Sequence, residues 1–385
     1  MNLISKIDKK LLEVVRTTSI DDGVECLVYA QNYQHTKNYL TKILKCEVEE
    51  YPFIKAFGVK TNINLIRKIA VKSHVKYISS ISQVFAQMDK SRKVMNIDGV
   101  QKEYLGSGIN VAIIDTGIAT NLDFCSFKNR ILTFVDFVNE KTEPYDDNGH
   151  GTFVAGVLGG NGFLSGKKYL GVAPNCNLIV CKTLDQNGEC NSLKILEAMQ
   201  WIYNNRKKYD IKVVCMSFGS SPLESGDPLM LGAESLWNAG IVVVAAAGNS
   251  GPNARTIKSP GISGKIITVG ALDDGRQNGM IDERNFCVAN FSSRGPASPF
   301  FKPDCIACGV DVVSVSNNNE KKYTKMSGTS VATPIVAGSC ALILEKYPNL
   351  KPFEVKSKLV SSCVRIYSDR NSQGFGYLDV AKFVL

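Results

Sequence analysis

The sequence contains few histidines and no long apolar run, and both shortages limit what the chain can be. Its 385 residues include 3 His, and its hydrophobic share of 44% is ample for a conventional core. The longest uncharged apolar run, 241–248, is far shorter than the ~18 residues that a membrane-spanning helix needs. We therefore expect a folded protein of two or three units that contains no membrane segment.

The first fifteen residues also lack the continuous apolar core of a secretory signal, because lysine, aspartate and glutamate interrupt the leucines and isoleucines. This pattern predicts a cytoplasmic protein. The 12 cysteines are scattered without a repeating interval in a long chain, which favours reduced thiols over a disulfide framework.

The chain has a positive excess, 45 Lys+Arg against 36 Asp+Glu, which could indicate a nucleic-acid partner. Residues 1–98 carry 16 basic and 10 acidic side chains, so +6 of the net +9 belongs to the N-terminal quarter. No basic motif with interleaved aromatic residues accompanies this charge. We therefore expect no nucleic-acid partner.

The N-terminal quarter alternates strand-like and helix-like stretches. Strands are predicted at 24–31, 48–53, 56–60 and 75–79, and helices at 35–46 and 62–73, with Asn62 as the N-cap of the second helix. The order β-α-β-β-α-β is that of a small ferredoxin-like sandwich. A further strand-like stretch at 84–87 and a charged joint at 89–93 follow it.

Beyond residue 109 the pattern changes to nearly continuous apolar strands separated by helical stretches. Strands are predicted at 110–115, 177–182, 212–216, 240–247 and 265–271, with helices at 193–207 and 228–239. Such strands indicate a parallel sheet covered on both faces. Reactive groups in these sheets collect at the carboxyl ends of strands, where Asp115, Ser217 and Asn249 fall.

Asp115 closes an apolar strand before Thr-Gly, as either a strand-end cap or a buried acceptor. His150 lies in DDNGHGTFVAG, before a helix predicted at 152–158, and is either a helix-start residue with local hydrogen bonds or a general base. The other two histidines, His35 and His74, belong to the N-terminal unit. Any imidazole base in the large domain must therefore be His150.

Ser330 stands in MSGTSVATPIVAG at the head of another apolar helix, where a serine is either a cap or a nucleophile beside the helix dipole. Asn249 in AAAGNSG is either a turn residue or an amide donor for a developing oxyanion. The chain order Asp, His, Ser differs from that of the α/β-hydrolases, which begins with Ser, and from that of chymotrypsin, which begins with His.

The blocks IIDTGIA, NGHGTFVAG, AAGNSG and GTSVATP resemble the signature blocks of the subtilases, the subtilisin-like serine proteases. The resemblance covers about residues 98–385, and the stretch from GNSGPNARTIKSPG onward is most similar to the intracellular AprX-like branch. Residues 24–88 resemble the inhibitory propeptide of the family. The resemblance implies an α/β three-layer sandwich with a mostly parallel central sheet, preceded by a small α+β ferredoxin-like prodomain.

Within this family, the resemblance assigns Ser330 as nucleophile, His150 as general base and then acid, Asp115 as the carboxylate that orients the imidazole, and Asn249 as the oxyanion donor. It implies a serine endopeptidase that acts on polypeptides and is made as a self-processing zymogen inhibited by its own prodomain. The expected segments are an extension at 1–23, the prodomain at 24–88, a processing linker at 89–98 and the peptidase domain at 99–385. The prodomain tail, about 84–88, would lie in the active-site cleft, with the processed bond between residues 86 and 95.

The residues expected to contact substrate form the two walls of the pocket for the residue before the scissile bond. They are Ser217, Phe218, Gly219, Ala246, Ala247 and Gly248, with Lys258 near the floor. The family often has a small residue where this chain has Lys258, which motivates the hypothesis that the pocket favours acidic or small side chains. The alternative is that Lys258 points into solvent.

No metal or other cofactor is assigned. The segment GGNGFLSGKKYLGVAP lacks the asparagine-rich loop that binds tight calcium in secreted subtilisins, although calcium remains possible. The pair Cys305 and Cys308 forms a C-x-x-C motif, but no second pair at ligand spacing accompanies it. A different class of function also stays open, namely a non-catalytic regulator that keeps the fold and a permanently docked prodomain.

Overall fold

The computed structural model describes residues 6–8, 11, 24–44, 48–80, 83–86, 93–275, 283–318 and 320–385. A small N-terminal unit contains four antiparallel strands in the spatial order β2-β3-β1-β4, which is the ferredoxin-like order. Its elements are β1 (Val24–Ala30), α1 (Tyr33–Leu44), β2 (Glu49–Tyr51), β3 (Ala56–Thr61), α2 (Ile63–Ala70) and β4 (Val75–Ser80). Asn62 caps α2, as predicted, by accepting a hydrogen bond from the Leu65 N–H at 3.1 Å.

The sequence of β1 explains how this unit is held on the rest of the protein. Alternate side chains of a strand point to opposite faces of its sheet. Cys26 and Val28 face the unit's own core, whereas Leu27 and Tyr29 join the core of the large domain. From the predicted extension, Ile7 and Leu11 pack into the unit's own core, and Ile7 pairs with Ile78 of β4.

A fifth strand, β5 (Gln83–Ala86), lies outside this sheet. It continues the chain into the large domain, whose remaining elements are α3 (Ile97–Val100), β6 (Asn110–Asp115), α4 (Leu122–Cys125), β7 (Ile131–Asp136), α5 (His150–Gly159), β8 (Asn177–Lys182), β9 (Glu189–Asn191), α6 (Ser192–Asn205), β10 (Ile211–Met216), β11 (Phe218–Gly219), α7 (Pro228–Asn238), β12 (Val242–Ala246), β13 (Ile267–Asp273), β14 (Cys287–Val288), β15 (Cys305–Cys308), β16 (Val312–Val315), β17 (Tyr323–Met326), α8 (Thr329–Lys346), α9 (Pro352–Ser361), β18 (Cys363–Val364), α10 (Arg370–Gln373), β19 (Tyr377–Leu378) and α11 (Val380–Val384).

The main sheet runs in the order β18-β19-β15-β13-β12-β10-β6-β8-β7, and β14 pairs with β13. All of its pairings are parallel except those made by β18 and β14. The α/β fold with a mostly parallel sheet is therefore confirmed. Helix α8 packs along the central strands, and α5 packs beside α8.

The structure corrects the predicted start of one helix and adds strands that the sequence pattern missed. Helix α5 begins at His150, not at Thr152, because Asn148 and Asp146 in the preceding loop accept hydrogen bonds from the His150 and Thr152 N–H groups of its first turn. The strands β7, β15, β18 and β19 lie toward the sides of the sheet, where the apolar pattern is short or interrupted. Among the described helices, none combines the length and apolar character that crossing a membrane requires.

Candidate active site

Three of the predicted site residues lie at the ends of three neighbouring strands. Asp115 ends β6, Ser217 follows β10 and Asn249 lies three residues after β12, and these strands are adjacent in the sheet. Parallel neighbours are about 4.8 Å apart, so these strand ends span about 10 Å. The fold therefore gathers the three polar side chains at one edge of the sheet.

Asp115 and His150 form a buried pair. The Nδ1 of His150 lies 2.5 Å from Oδ1 of Asp115, and both side chains are fully buried. Oδ1 also accepts a hydrogen bond from the Thr116 N–H at 2.7 Å, whereas Oδ2 has no partner among the described residues. The carboxylate therefore keeps the proton of His150 on Nδ1, which leaves Nε2 to exchange a proton.

Two glycines allow this pair to form. A Cβ atom on Gly151, next to His150, would collide with the carbonyl oxygen of Gly117, which lies two residues after Asp115. Gly117 has φ of +122°, a conformation that side-chain-bearing residues rarely adopt, and a Cβ there would collide with the Tyr145 carbonyl oxygen. The start of helix α5 therefore rests directly on the backbone that follows β6.

Asp146 connects the loop before α5 to the same region, and the sequence analysis assigned it no role. Its Oδ1 accepts hydrogen bonds from the Thr116 hydroxyl at 2.9 Å and the Gly149 N–H at 2.8 Å. Its Oδ2 accepts from the N–H and the hydroxyl of Thr152, at 2.8 and 2.7 Å. Asp146 lies six residues before the predicted helix start, and an aspartate near a helix start is the capping signal that could have identified it.

Lys182 is a second residue that the sequence analysis missed. It ends the apolar strand β8 and is fully buried. Its ammonium group donates to the Thr116 carbonyl oxygen and to Asp147 Oδ1, both at 2.6 Å, and to the Leu184 carbonyl oxygen at 3.0 Å. The lysine thus fixes the backbone immediately after Asp115, and a charged residue at the end of an apolar strand was the available signal.

Ser330 is the second residue of α8, is fully buried, and its hydroxyl has no hydrogen-bond partner among the described residues. Backbone N–H groups in the first turn of a helix lack partners within the helix, and the helix dipole favours negative charge beside them. Helix α8 packs against β10, in which burial raises the pKa of Cys215 to about 12, so this thiol stays neutral near neutral pH.

The direction of the Asn249 amide is determined by Thr329, the residue before Ser330. Thr329 donates its N–H and its hydroxyl to Oδ1 of Asn249, at 2.9 and 3.0 Å. The Thr329 hydroxyl in turn accepts from the Gly248 N–H at 3.1 Å. Because the Thr329 N–H can only donate, the Asn249 side-chain atom that faces it must be the amide oxygen. The Nδ2 of Asn249 is therefore left free of Thr329 to donate elsewhere.

The predicted pocket walls lie on either side of Lys258. Phe218 and Gly219 form β11 and pair with β5, and Ser217, just before them, is fully buried. Ala246 and Ala247 are also buried, and the Ala247 carbonyl oxygen accepts the Lys258 N–H at 2.8 Å. Gly219 and Gly248 both approach the Lys258 side chain closely.

The described residues contain no group of three or more His, Cys, Asp or Glu side chains that could hold a metal ion. Cys305 and Cys308 stand three apart in β15, so the strand directs them to opposite faces of the sheet. The buried carboxylate of Asp123 accepts hydrogen bonds from the Leu164 N–H at 2.9 Å and the Tyr323 hydroxyl at 2.7 Å. Protein groups thus donate hydrogen bonds to the Asp123 carboxylate, which contacts the segment that lacks the asparagine-rich calcium loop of secreted subtilisins.

Comparisons with known proteins agree with this arrangement. A sequence profile of the subtilase family matches residues 106–377. The chain is 40% identical over 346 residues to the serine protease AprX of Bacillus subtilis, which covers 84% of this chain and 75% of that protein. It is 34% identical over 291 residues to subtilisin DY of Bacillus licheniformis, which covers 74% of this chain and 95% of that protein.

Among solved structures, the fold is similar to that of fervidolysin from Fervidobacterium pennivorans, a keratinolytic enzyme related to subtilisin. The TM-score is 0.75 at 20% identity, and the match covers 98% of this chain but 62% of that chain's length. The structural likeness shows the fold, and the profile and sequence relatives show the family. The chain is a subtilisin-like serine protease and belongs to the subtilase family.

Proposed function

We propose that this serine protease is an endopeptidase whose nucleophile is Ser330, with His150 as general base and Asn249 as oxyanion donor. The observation that carries this proposal is the buried hydrogen bond of 2.5 Å between His150 and Asp115. It is supported by the oriented amide of Asn249 beside the start of the helix that carries Ser330. These groups supply a base, a nucleophile and an anion site on one rigid framework.

In the proposed reaction, the Ser330 hydroxyl gives its proton to Nε2 of His150 while Oγ attacks the peptide carbonyl carbon. The resulting oxyanion accepts hydrogen bonds from Nδ2 of Asn249 and from the Ser330 N–H. His150 then gives the proton to the leaving amine, the C–N bond breaks, and an acyl-enzyme on Ser330 remains. A water molecule, deprotonated by His150, hydrolyses this ester and restores the Ser330 hydroxyl.

We further propose that residues 24–88 form an inhibitory prodomain, followed by a processing linker at 89–98 and the peptidase at 99–385. Strand β5 lies between β9 and β11, where Ala86 pairs with Phe218 and Val84 with Cys190. Asp115, His150 and Ser330 are all fully buried, which is consistent with an inhibited state. The remainder of the predicted tail, residues 87 and 88, lies outside the described residues.

Contacts between the N-terminal unit and the large domain support the same proposal. The hydroxyl of Ser235 in α7 donates to the Phe53 carbonyl oxygen at 3.1 Å, and the amide of Gln200 in α6 donates to the Glu50 carbonyl oxygen at 3.0 Å. Consistent with the intracellular branch that the sequence resembles, we propose that the enzyme acts inside the cell. Its substrates are extended polypeptides that pair with β9 and β11 as β5 does.

Casein hydrolysis by the purified protein tests the proposed function. We expect wild type to cleave casein and Ser330→Ala to be inactive, whereas Ser339→Ala, a buried serine in the same helix, keeps its activity. If wild type and Ser330→Ala give the same absence of cleavage and an intact chain, the protein is a regulator rather than an endopeptidase. Equal cleavage by both would remove Ser330 as the nucleophile.

A further inference from the structure

The side chain of Lys258 lies between the two glycines that form the proposed pocket walls. A Cβ atom placed on Gly219 would lie 2.6 Å from Cβ of Lys258, and one placed on Gly248 would collide with Cγ of Lys258. The first carbons of the lysine therefore fill the space that these two glycines leave open. The stem of Lys258 is therefore a part of the proposed pocket wall.

Hydrogen bonds on both sides hold this segment in place. The Lys258 N–H donates to the Ala247 carbonyl oxygen at 2.8 Å. Its neighbour Ser259 exchanges backbone hydrogen bonds with Ser220, at 2.9 and 3.0 Å, and is fully buried. Lys258 is thus tied to the wall that ends at Gly248 and, through Ser259, to the wall that contains Gly219.

The positive charge of Lys258 has no partner among the residues that the structure describes. Its half-buried side chain makes no hydrogen bond or ion pair with any residue in the described part of the chain. Asp227 is the carboxylate bonded to this segment, but its Oδ1 accepts the Ser259 hydroxyl at 2.5 Å and the Met230 N–H at 2.9 Å. Its Oδ2 accepts the Leu223 N–H at 3.0 Å, so neutral donors already occupy Asp227.

We infer that Lys258 makes the primary specificity pocket select an acidic side chain, glutamate or aspartate, in the residue before the scissile bond. This inference rests on the proposed function of the site. A substrate carboxylate that reaches the end of the Lys258 side chain gains a charge-assisted hydrogen bond from the ammonium group. An aromatic side chain would instead meet the lysine stem and desolvate an unpaired charge.

The residue that follows β5 in the sequence has a related chemistry. In the antiparallel pairing of β5 with β11, Phe85 lies opposite Gly219 and Ala86 opposite Phe218, so the chain runs toward Ser217 and the pocket. The next residue in the sequence is Gln87, which lies outside the described residues. The glutamine amide oxygen is the neutral counterpart of a carboxylate oxygen as a hydrogen-bond acceptor.

The test compares peptides of sequence Val-Phe-Ala-X, taken from residues 84–86, in which X is Glu, Gln or Phe before a chromogenic amide. Processed wild type should cleave the Glu peptide with kcat/KM about 10- to 100-fold above the Phe peptide, with Gln between them. The Lys258→Met variant keeps the stem without the charge and should lose the Glu preference. The Lys258→Ala variant also opens the pocket and should gain activity on the Phe peptide.

Salt gives a second readout, because added NaCl should lower cleavage of the Glu peptide by wild type and leave the Phe peptide unchanged. The matched control is Lys128→Ala. Lys128 is exposed and precedes β7, so it lies at the amino end of a strand, whereas the site lies at the carboxyl ends. Lys128→Ala should keep the wild-type ratio of cleavage of the Glu peptide to cleavage of the Phe peptide.

A Glu-to-Phe ratio unchanged in Lys258→Met overturns the inference while the protease assignment stands. If no peptide is cleaved in a Ser330-dependent way, it is the proposed function that fails.

Discussion

At the scale of single residues, the site depends on atoms whose orientation is set by neighbours in the sequence. Thr329 precedes the proposed nucleophile and makes two hydrogen bonds to Oδ1 of Asn249. The amide that would bind the oxyanion is therefore held before any substrate arrives. Such preorganisation is what makes a donor effective in a transition state.

We predict that Asn249→Ala lowers kcat by about 10²–10³, the range measured for the corresponding donor of subtilisin, with little change in KM. Thr329→Val removes one of the two hydrogen bonds to Oδ1 and should lower kcat by about tenfold. Because Thr329 acts through Asn249, the double variant should be no worse than Asn249→Ala alone. If the double variant instead lowers kcat by the product of the two single effects, the two residues act separately.

At the scale of elements, the contact of helix α5 with the end of β6 decides whether His150 meets Asp115. No side chain fits between Gly151 and Gly117. Asp146 and Lys182 then fix the two backbones on either side of that contact. The geometry of the acid–base pair is thus a property of packed backbone rather than of long, adaptable side chains.

Gly151→Ala should therefore abolish activity, because the added methyl group forces α5 away from Gly117 and separates His150 from Asp115. Thermal unfolding should show a loss of stability of a few kcal/mol from overpacking. Gly99→Ala is the matched control, since a Cβ atom at Gly99 meets nothing within 4 Å, and it should resemble wild type in both measurements. Full activity in Gly151→Ala would contradict the role assigned to this contact.

The sequence predicts the central strands and the long helices well, because their apolar patterns are continuous. It predicts the start of α5 two residues late, since the cap is supplied by Asp146 in the loop rather than by the residue before the helix. Lys182 and Thr329 escape prediction because their roles depend on which backbone atoms the fold brings near them. The stem position of Lys258 likewise depends on two glycines 29 residues apart in the sequence, Gly219 and Gly248.

At the scale of the whole molecule, the contact between the N-terminal unit and the large domain brings together an exposed carboxylate, Glu49, and a partly buried one, Glu197. Glu197 of α6 lies near Glu49 of β2, whose Oε2 accepts the Tyr51 hydroxyl at 2.8 Å. Burial, together with the charge of Glu49, raises the pKa of Glu197 above its usual 4.5, although Lys194 at 3.1 Å opposes the shift. The docked state therefore binds a proton more readily than the separated state.

This shift predicts that prodomain binding weakens as the pH rises through the raised pKa of Glu197 and levels off above it. A Ser330→Ala chain, cut in trans by a trace of wild type, provides the cleaved but inactive complex. We expect size-exclusion chromatography to show less retained prodomain as the pH rises from about 4.5. Glu197→Gln should flatten this dependence, whereas the exposed control Glu103→Gln should not. An identical profile in Glu197→Gln would contradict the assignment.

The central claim, that this chain is a zymogen processed by its own Ser330, is tested most directly by intact-mass analysis of purified wild type and Ser330→Ala. We expect Ser330→Ala to stay at 42.0 kDa and wild type to be cut once within residues 86–95, with the bond after Gln87, the residue that follows β5, as the expected site. Residues 99–385 carry only +3 of the net +9, so most of the basic excess leaves with the prodomain. Wild type that remains at 42.0 kDa, or Ser330→Ala that is cut at the same bond, would contradict the account.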